Sequence, residues 1–119
     1  MHLESEGVLL RIFLGESDRA GGRPLYETIV LKAREMGLAG ATVLRGPMGF
    51  GHASRLHTAK ILQLSNDLPF LIEIVDAEDR IEAFLDAIEP MMGSGLVTLE
   101  KVRVIRYGTS AVVRSPDGG

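Results

Sequence analysis

The chain contains 119 residues, of which 45 % are hydrophobic and 24 % are charged, and its formal net charge is −3. This composition is typical of a single folded domain and excludes an intrinsically disordered chain. Because the sequence has no cysteine, it excludes disulfides, thiolate catalysis, iron–sulfur clusters and cysteine-ligated zinc. The apolar runs are too short to span a bilayer and the acidic N-terminus has no apolar signal region, so we expect a cytoplasmic protein without membrane insertion.

Four strands and two helices are predicted in the order β-α-β-β-α-β. Hydrophobic residues alternate over residues 7–14, which predicts the first strand, and they recur at helical spacing from Pro24 to Met36, with Gly37 as the stop. The remaining predicted elements are a short strand at 41–45, a strand at 69–75, a helix that Asp76 caps and Pro90 ends, and a fourth strand at 97–107.

This order predicts an α+β, ferredoxin-like sandwich, in which a four-stranded antiparallel sheet carries both helices on one face. Leu9 and Phe13 of the first strand point to the other face, which no helix covers. Because an open apolar face favours association, we expect an oligomer rather than a monomer. The predicted domain covers residues 1–108, and residues 109–119 are predicted to form a flexible C-terminal tail.

The predicted connection between the second and third strands, residues 46–68, is unusually long for a compact domain. Such loops are usually functional or mobile. Residues 46–66 include cations and histidines but no acid, whereas residues 67–89 contain eight acids against one arginine. A solvated acidic helix beside a loop that merely lacks acids explains this charge pattern equally well.

No catalytic group of residues is predicted, and we therefore expect no enzyme. Ser54 and His57 have no carboxylate nearby in the sequence to complete a triad. His52 and His57 are five residues apart, which is not the i,i+4 spacing of a helical metal pair, so they are weak metal candidates only. The predicted sheet also lacks the basic and aromatic pattern of RNA-recognition sheets, so no nucleic-acid partner is expected.

Two glycine-rich segments are candidate anion-binding loops. The segment Gly46-Pro-Met-Gly-Phe-Gly51 follows Arg45, and the segment Gly93-Ser-Gly95 leads into a basic strand. Glycines allow backbone N–H groups to approach a phosphate closely. Neither segment matches the P-loop or the dinucleotide-binding pattern, and ordinary turn glycines are the alternative interpretation.

Four segments also carry a family resemblance: Gly40-Ala-Thr-Val-Leu-Arg-Gly-Pro-Met-Gly-Phe-Gly51, Leu68-Pro-Phe-Leu-Ile-Glu-Ile-Val-Asp76, Gly93-Ser-Gly95 and Val102-Arg-Val-Ile-Arg-Tyr-Gly108. With these segments the chain resembles the PII signalling proteins over nearly its whole length. It is more closely similar to the PII-like family called domain of unknown function 190.

The resemblance implies a non-enzymatic signal-transduction protein that forms a homotrimer. A small anionic ligand, such as an adenine nucleotide, would bind in the clefts between subunits, and no cofactor would be obligatory. The ligand-binding residues would be Arg45, Gly46, Gly49, Gly51, Gly93, Ser94, Gly95, Arg103 and Arg106. The loop 46–68 would dock on a membrane transporter or regulatory protein. Because Gly49 and Gly51 flank the bulky Phe50, we expect the loop tip to present Phe50, Arg55 and Lys60 to that partner.

The chain departs from the PII pattern at three places, one of which is the stretch from the glycine turn to Arg106, which is about three residues shorter. Leu96 stands where PII proteins carry a phosphate-binding lysine, and the long loop has no tyrosine for nucleotidylation. The alternative function is that of a related trimeric metal-tolerance protein, which would bind a divalent ion through His52 and His57. A small-molecule enzyme acting in the same cleft is a third interpretation, for which no acid, base or nucleophile can be assigned from the sequence.

Overall fold

A four-stranded sheet and two helices form the fold in the computed structural model, which describes residues 5–49, 57–58 and 68–111. The sheet strands are β1 (Glu6–Gly15), β2 (Thr42–Arg45), β3 (Pro69–Asp76) and β4 (Leu96–Arg103). The helices are α1 (Leu25–Glu35) and α2 (Glu78–Ile88), and a short 3-10 helix (Glu89–Met91) follows α2. Three two-residue ribbons pair Arg19–Ala20 with Arg23–Pro24, Met48–Gly49 with His57–Thr58, and Arg106–Tyr107 with Ser110–Ala111.

The strands lie in the order β2-β3-β1-β4, and every neighbouring pair is antiparallel. Helix α1 connects β1 to β2, and α2 connects β3 to β4. Both helices pack on the same face of the sheet, because their buried residues share one core with alternate residues of β1 and β3. The predicted ferredoxin-like fold is therefore confirmed.

The core lies between this face and the apolar stripes of the two helices. Leu10 and Ile12 of β1 and Ile72 of β3 are 0 % exposed, and they alternate with residues of the opposite face as a half-buried sheet requires. Each helix contributes three buried residues at helical spacing: Leu25, Ile29 and Ala33 from α1, and Ile81, Phe84 and Ile88 from α2.

Helix α1 ends at a glycine, as its sequence predicts. Gly37 has φ +75°, a conformation that favours glycine, and its N–H donates to the carbonyl of Arg34 at 3.1 Å. The N–H of Leu38 donates to the carbonyl of Ala33 at 3.0 Å, so the last turn is closed by its own backbone.

Two sequence predictions about the element ends were wrong. The fourth strand ends at Arg103 and does not continue to Tyr107, because the N–H of Val104 donates to the carbonyl of Ser5 at 2.6 Å and the chain then turns away. Asp76 does not cap α2, since the cap position is Ala77 and no side chain caps it. Ser110–Ala111, at the start of the predicted tail, pairs with Arg106–Tyr107, and residues 112–119 lie outside the described residues.

We call the helix-free side of the sheet the open face. Four apolar residues form one cross-strand row on it, in the order Leu44, Leu71, Phe13 and Leu96. Leu44, Phe13 and Leu96 are 48 %, 38 % and 56 % exposed, so this row faces solvent in the single chain. The row includes Phe13, as the alternation in β1 predicts. In the part of the chain that the structure describes, no helix is long and apolar enough to cross a membrane.

Candidate functional site

The base of the long loop is closed by residues from three strands. The N–H of Glu16 donates to the carbonyl of Leu68 at 2.8 Å, and the N–H of Gly46 donates to the carbonyl of Pro69 at 2.7 Å. Arg45, the last residue of β2, donates through Nη2 to both carboxylate oxygens of Glu16, at 3.0 and 3.2 Å. We call these five residues the loop stem. The stem places the guanidinium of Arg45, which is 55 % exposed, at the end of the β2 edge.

Gly46 and Gly49 have a packing role in this stem that the sequence did not reveal. A Cβ atom at either position would lie 3.0 Å from Cγ of Pro69, which is closer than carbon atoms pack. The N–H of Gly46 is also already used by the carbonyl of Pro69. Both glycines therefore allow Pro69 to approach the backbone closely. The anion-binding loop predicted for this segment loses one donor, the N–H of Gly46.

The second glycine segment lies between the short 3-10 helix and β4. Gly95 has φ +139°, and a Cβ there would lie 3.0 Å from the carbonyl oxygen of Phe13, so this position requires glycine for the turn. A Cβ atom at Gly93 would meet no atom within 4 Å, and both Gly93 and Ser94 are exposed. The first two residues of this turn are thus open to solvent and available for contact with a ligand or another chain.

These two candidate segments lie at the same end of the sheet but on opposite edges. Strand β2 ends where β4 begins, because the strands are antiparallel, and β2 and β4 are the two outer strands. Three strand spacings separate the edges, which amounts to about 14 Å. A small anion held by Arg45 therefore cannot also contact Gly93–Gly95 of the same chain.

The two basic residues predicted at the end of the fourth strand lie at the other end of the sheet. Arg103 is the last residue of β4, eight residues beyond Gly95, which places it about 26 Å from the glycine turn. It lines an open pocket of about 430 Å³ together with Lys101, Glu6 and Glu78, so acids balance the bases there. Arg106 donates through Nη1 to the carbonyl of Thr109 at 3.3 Å, within its own ribbon.

A buried carboxylate connects three segments at this end, and sequence reasoning missed it. Asp76 is 0 % exposed, and it accepts from the N–H of Ala39 at 2.8 Å and of Ala77 at 2.7 Å. Nε of Arg80 lies 3.2 Å from Oδ1 of Asp76 as an ion pair. The hydroxyl of Tyr107 donates to the carbonyl of Ala39 at 2.7 Å. We call Asp76, Arg80 and Ala39 the Asp76 hub, which fixes the chain that leads into β2.

The open face also carries an unpredicted group of three charges next to the apolar row. Arg11 on β1 donates through Nε to Glu73 at 3.0 Å and through Nη1 to Glu100 at 3.2 Å. The hydrogen bond to Glu73 raises the pKa of the Arg11 guanidinium above its ordinary value. This triplet gives the open face a charged centre that limits how a second chain could pack on it.

Several predicted residues lie outside the described part of the chain: Phe50, Gly51, His52, Ser54, Arg55 and Lys60. For His57 the structure describes only the pairing of its strand with Met48–Gly49. Among residues 5–49, 57–58 and 68–111, no three histidine or acidic side chains form a group that could hold a metal ion. The described residues therefore add nothing that favours the metal-tolerance alternative.

Comparison with known proteins identifies the family. Residues 7–104 match the family described as DUF190, Uncharacterized ACR. The chain belongs to this family. A UPF0166 protein from Aquifex aeolicus is 42 % identical to it over 97 residues, covering 82 % of this chain and 91 % of that protein. A UPF0166 protein from Methanocaldococcus jannaschii is 32 % identical over 102 residues, covering 85 % and 94 %.

Solved structures show the same fold in a PII-like protein. CPII, a nitrogen regulatory PII-like protein from Thiomonas intermedia K12, bound to ADP, AMP and bicarbonate, matches with a TM-score of 0.65 and 18 % identity. The match covers 85 % of this chain and 90 % of that one. The apo form of CPII matches with a TM-score of 0.58 and 16 % identity. The predicted membership in the DUF190 family is thus confirmed, and the fold is the one that the PII-like protein CPII has.

Proposed function

We propose that this protein is a non-enzymatic PII-like sensor that binds a small anionic, nucleotide-like ligand between neighbouring chains of a homotrimer. The observation that carries the proposal is the placement of Arg45 and Gly93–Gly95 at one end of the sheet on opposite edges. CPII, which shares the fold, binds ADP, AMP and bicarbonate, and this supports the class of ligand.

Two chains side by side would bring together Arg45 and the Gly93–Gly95 turn, which lie on opposite edges of the sheet in one chain. If the β2 edge of one chain lies along the β4 edge of the next, Arg45 of the first comes close to Gly93–Gly95 of the second. Such a head-to-tail contact uses two different surfaces and closes into a ring when the rotation allows it. We propose three chains in that ring because the resemblance to PII proteins implies a trimer.

Both edges have the exposed apolar residues that such a contact requires. In β2, Val43 and Leu44 are 36 % and 48 % exposed, and in β4, Val97 and Leu99 are 38 % and 48 % exposed. Val97 and Leu99 lie on the face that carries the helices, yet neither helix covers them. Exposed apolar groups on an outer strand favour pairing with another chain.

The anionic end of the ligand would bind where Arg45 meets the neighbouring turn. Leu96 follows that turn in place of a lysine, so Arg45 supplies the positive charge at this end. Arg103 lies at the opposite end of β4, and Arg106 lies beyond it, in the ribbon Arg106–Tyr107. They would contact the same ligand only if the neighbouring chain is offset along the strand direction, and Arg45 is therefore the residue to test first.

We also propose that the loop 46–68 carries the signal to a partner protein. Its two ends are held in the loop stem, next to Arg45. A ligand that binds Arg45 would change the contacts of the stem and shift the population of loop conformations by at most its differential affinity for them.

The proposal is tested by calorimetric titration of the protein with ADP, AMP and bicarbonate, together with sedimentation analysis of the same samples. We expect a trimer and saturable binding of at least one of these compounds. Arg45→Ala should weaken binding, whereas Arg34→Ala, which removes an exposed arginine from the end of α1, should not. A stable monomer, or the absence of binding for all three compounds, would refute the proposal.

A further inference from the structure

The guanidinium of Arg45 already has a carboxylate partner within its own chain. Both carboxylate oxygens of Glu16 lie within 3.2 Å of Nη2 of Arg45. An arginine has five N–H donors, so an anion could still approach the exposed part of the guanidinium beside this carboxylate. Any ligand anion bound there would have a second negative charge as its neighbour.

The backbone position of Glu16 does not depend on Arg45. Its N–H donates to the carbonyl of Leu68 at 2.8 Å. The preceding residue, Gly15, is held by its N–H, which donates to Oδ2 of Asp18 at 3.0 Å. Glu16 is also the less exposed partner, at 27 % against 55 % for Arg45. The backbone of Glu16 is thus fixed in the loop stem, and this keeps its carboxylate within reach of the site when a ligand contacts Arg45.

We propose that Glu16 is a specificity-determining residue of the anion site, and that it disfavours ligands in proportion to their negative charge. This inference rests on the proposed function, since it concerns the same Arg45. Because the repulsion between two groups scales with the product of their charges, a nucleoside diphosphate is opposed more strongly than a nucleoside monophosphate. Glu16 would thereby reduce the advantage that an additional phosphate group gains from Arg45.

The substitution Glu16→Gln tests this because it removes the charge and keeps the length of the side chain and an oxygen acceptor. An exposed ion pair of this kind is worth no more than about fivefold in an equilibrium constant. We expect Glu16→Gln to tighten AMP binding by about two- to fivefold, and ADP binding by a larger factor. The ratio of the two affinities would therefore shift toward ADP.

The matched control is Glu27→Gln. Glu27, on α1, also forms an exposed ion pair, with Arg23 at 3.8 Å. Replacing Glu27 by glutamine changes the net charge by the same amount as Glu16→Gln. It should leave both affinities unchanged, which separates the local effect of Glu16 from the charge of the whole protein. Equal affinities in wild type and Glu16→Gln, or weaker binding in the variant, would overturn the inference while leaving the proposed function intact. The absence of AMP and ADP binding in both proteins would also overturn the inference, and if bicarbonate did not bind either, the proposed function would be refuted with it.

Discussion

Replacing Asp76 by alanine should destabilise the fold strongly, although the residue lies far from the loop stem. Asp76 is 0 % exposed and ties the N–H groups of Ala39 and Ala77 to Arg80. Arg80 in turn donates through Nη2 to the carbonyl of Gly37. Alanine would leave two backbone donors unsatisfied and a half-buried guanidinium without its acid.

Removing one member of a buried ion pair costs about 3–5 kcal/mol. The side chain of Arg80 is 35 % exposed, so water partly compensates its charge, and we expect the lower part of that range, about 3 kcal/mol. For a domain of this size, 1 kcal/mol corresponds to about 4 °C, and so the melting temperature should fall by about 12 °C. Urea denaturation at one fixed protein concentration, followed by circular dichroism, measures this free energy while assembly is held constant.

A double-mutant cycle tests the reason for the loss. Because Asp76 and Arg80 are in contact, Arg80→Leu combined with Asp76→Ala should cost less than the sum of the two single changes. Asp79→Ala, an exposed acid in the first turn of α2, is the control and should change stability by less than about 0.5 kcal/mol. Additive effects, or a loss below about 1 kcal/mol for Asp76→Ala, would show that the hub does not hold these segments together.

Three further changes address other parts of the structure. Gly46→Ala should lower the unfolding free energy by about 1–3 kcal/mol, because the new Cβ atom would lie 3.0 Å from Cγ of Pro69. Gly40→Ala is the control and should cost clearly less, because no atom lies within 4 Å of a Cβ there. Equal losses in urea denaturation would contradict this prediction. Tyr107→Phe should lose about 0.5–1.5 kcal/mol with its hydrogen bond, and an unchanged urea midpoint would show that the bond contributes nothing. Phe13→Glu on the open face should lower the sedimenting mass without changing the circular dichroism. Leu31→Glu on α1 should leave the mass unchanged, although Leu31 is 44 % exposed and Phe13 is 38 % exposed.

The sequence predicts the strands and helices well because their signals are local. The alternation in β1 and the stripe of α1 each lie within one element, and the glycine that ends α1 lies next to it. The predicted end of β4 was wrong because the contact that ends this strand is not local. Val104 and Ile105 continue the β-type composition of this strand, but the N–H of Val104 is taken by Ser5, at the other end of the chain.

The candidate site was predicted less well, because its residues act through distant contacts. The glycines at 46 and 49 suggest an anion-binding loop when only their neighbours in sequence are considered, and the structure adds Pro69 as the reason for their small size. Glu16 is 29 residues from Arg45 in the chain, so no local pattern could have paired them. Asp76 directly precedes α2, and this position alone predicts a helix cap, yet its partner Ala39 lies 37 residues away.

Ligand binding and assembly must be coupled if the two halves of the site lie on different chains. In a separate chain a ligand held by Arg45 would not reach the Gly93–Gly95 turn on the opposite edge. In the assembled protein it would also contact the Gly93–Gly95 turn of a neighbouring chain. A ligand that binds the assembled form more tightly must stabilise it by the same factor. We therefore expect the apparent affinity for ADP to fall when the protein is diluted below its assembly range. Leu9→Glu should have the same effect, because it alters the open face and touches neither half of the site. Fluorescence titration of labelled ADP across a dilution series measures this, and a monomer that binds ADP with the full affinity of the assembled protein would refute a shared site.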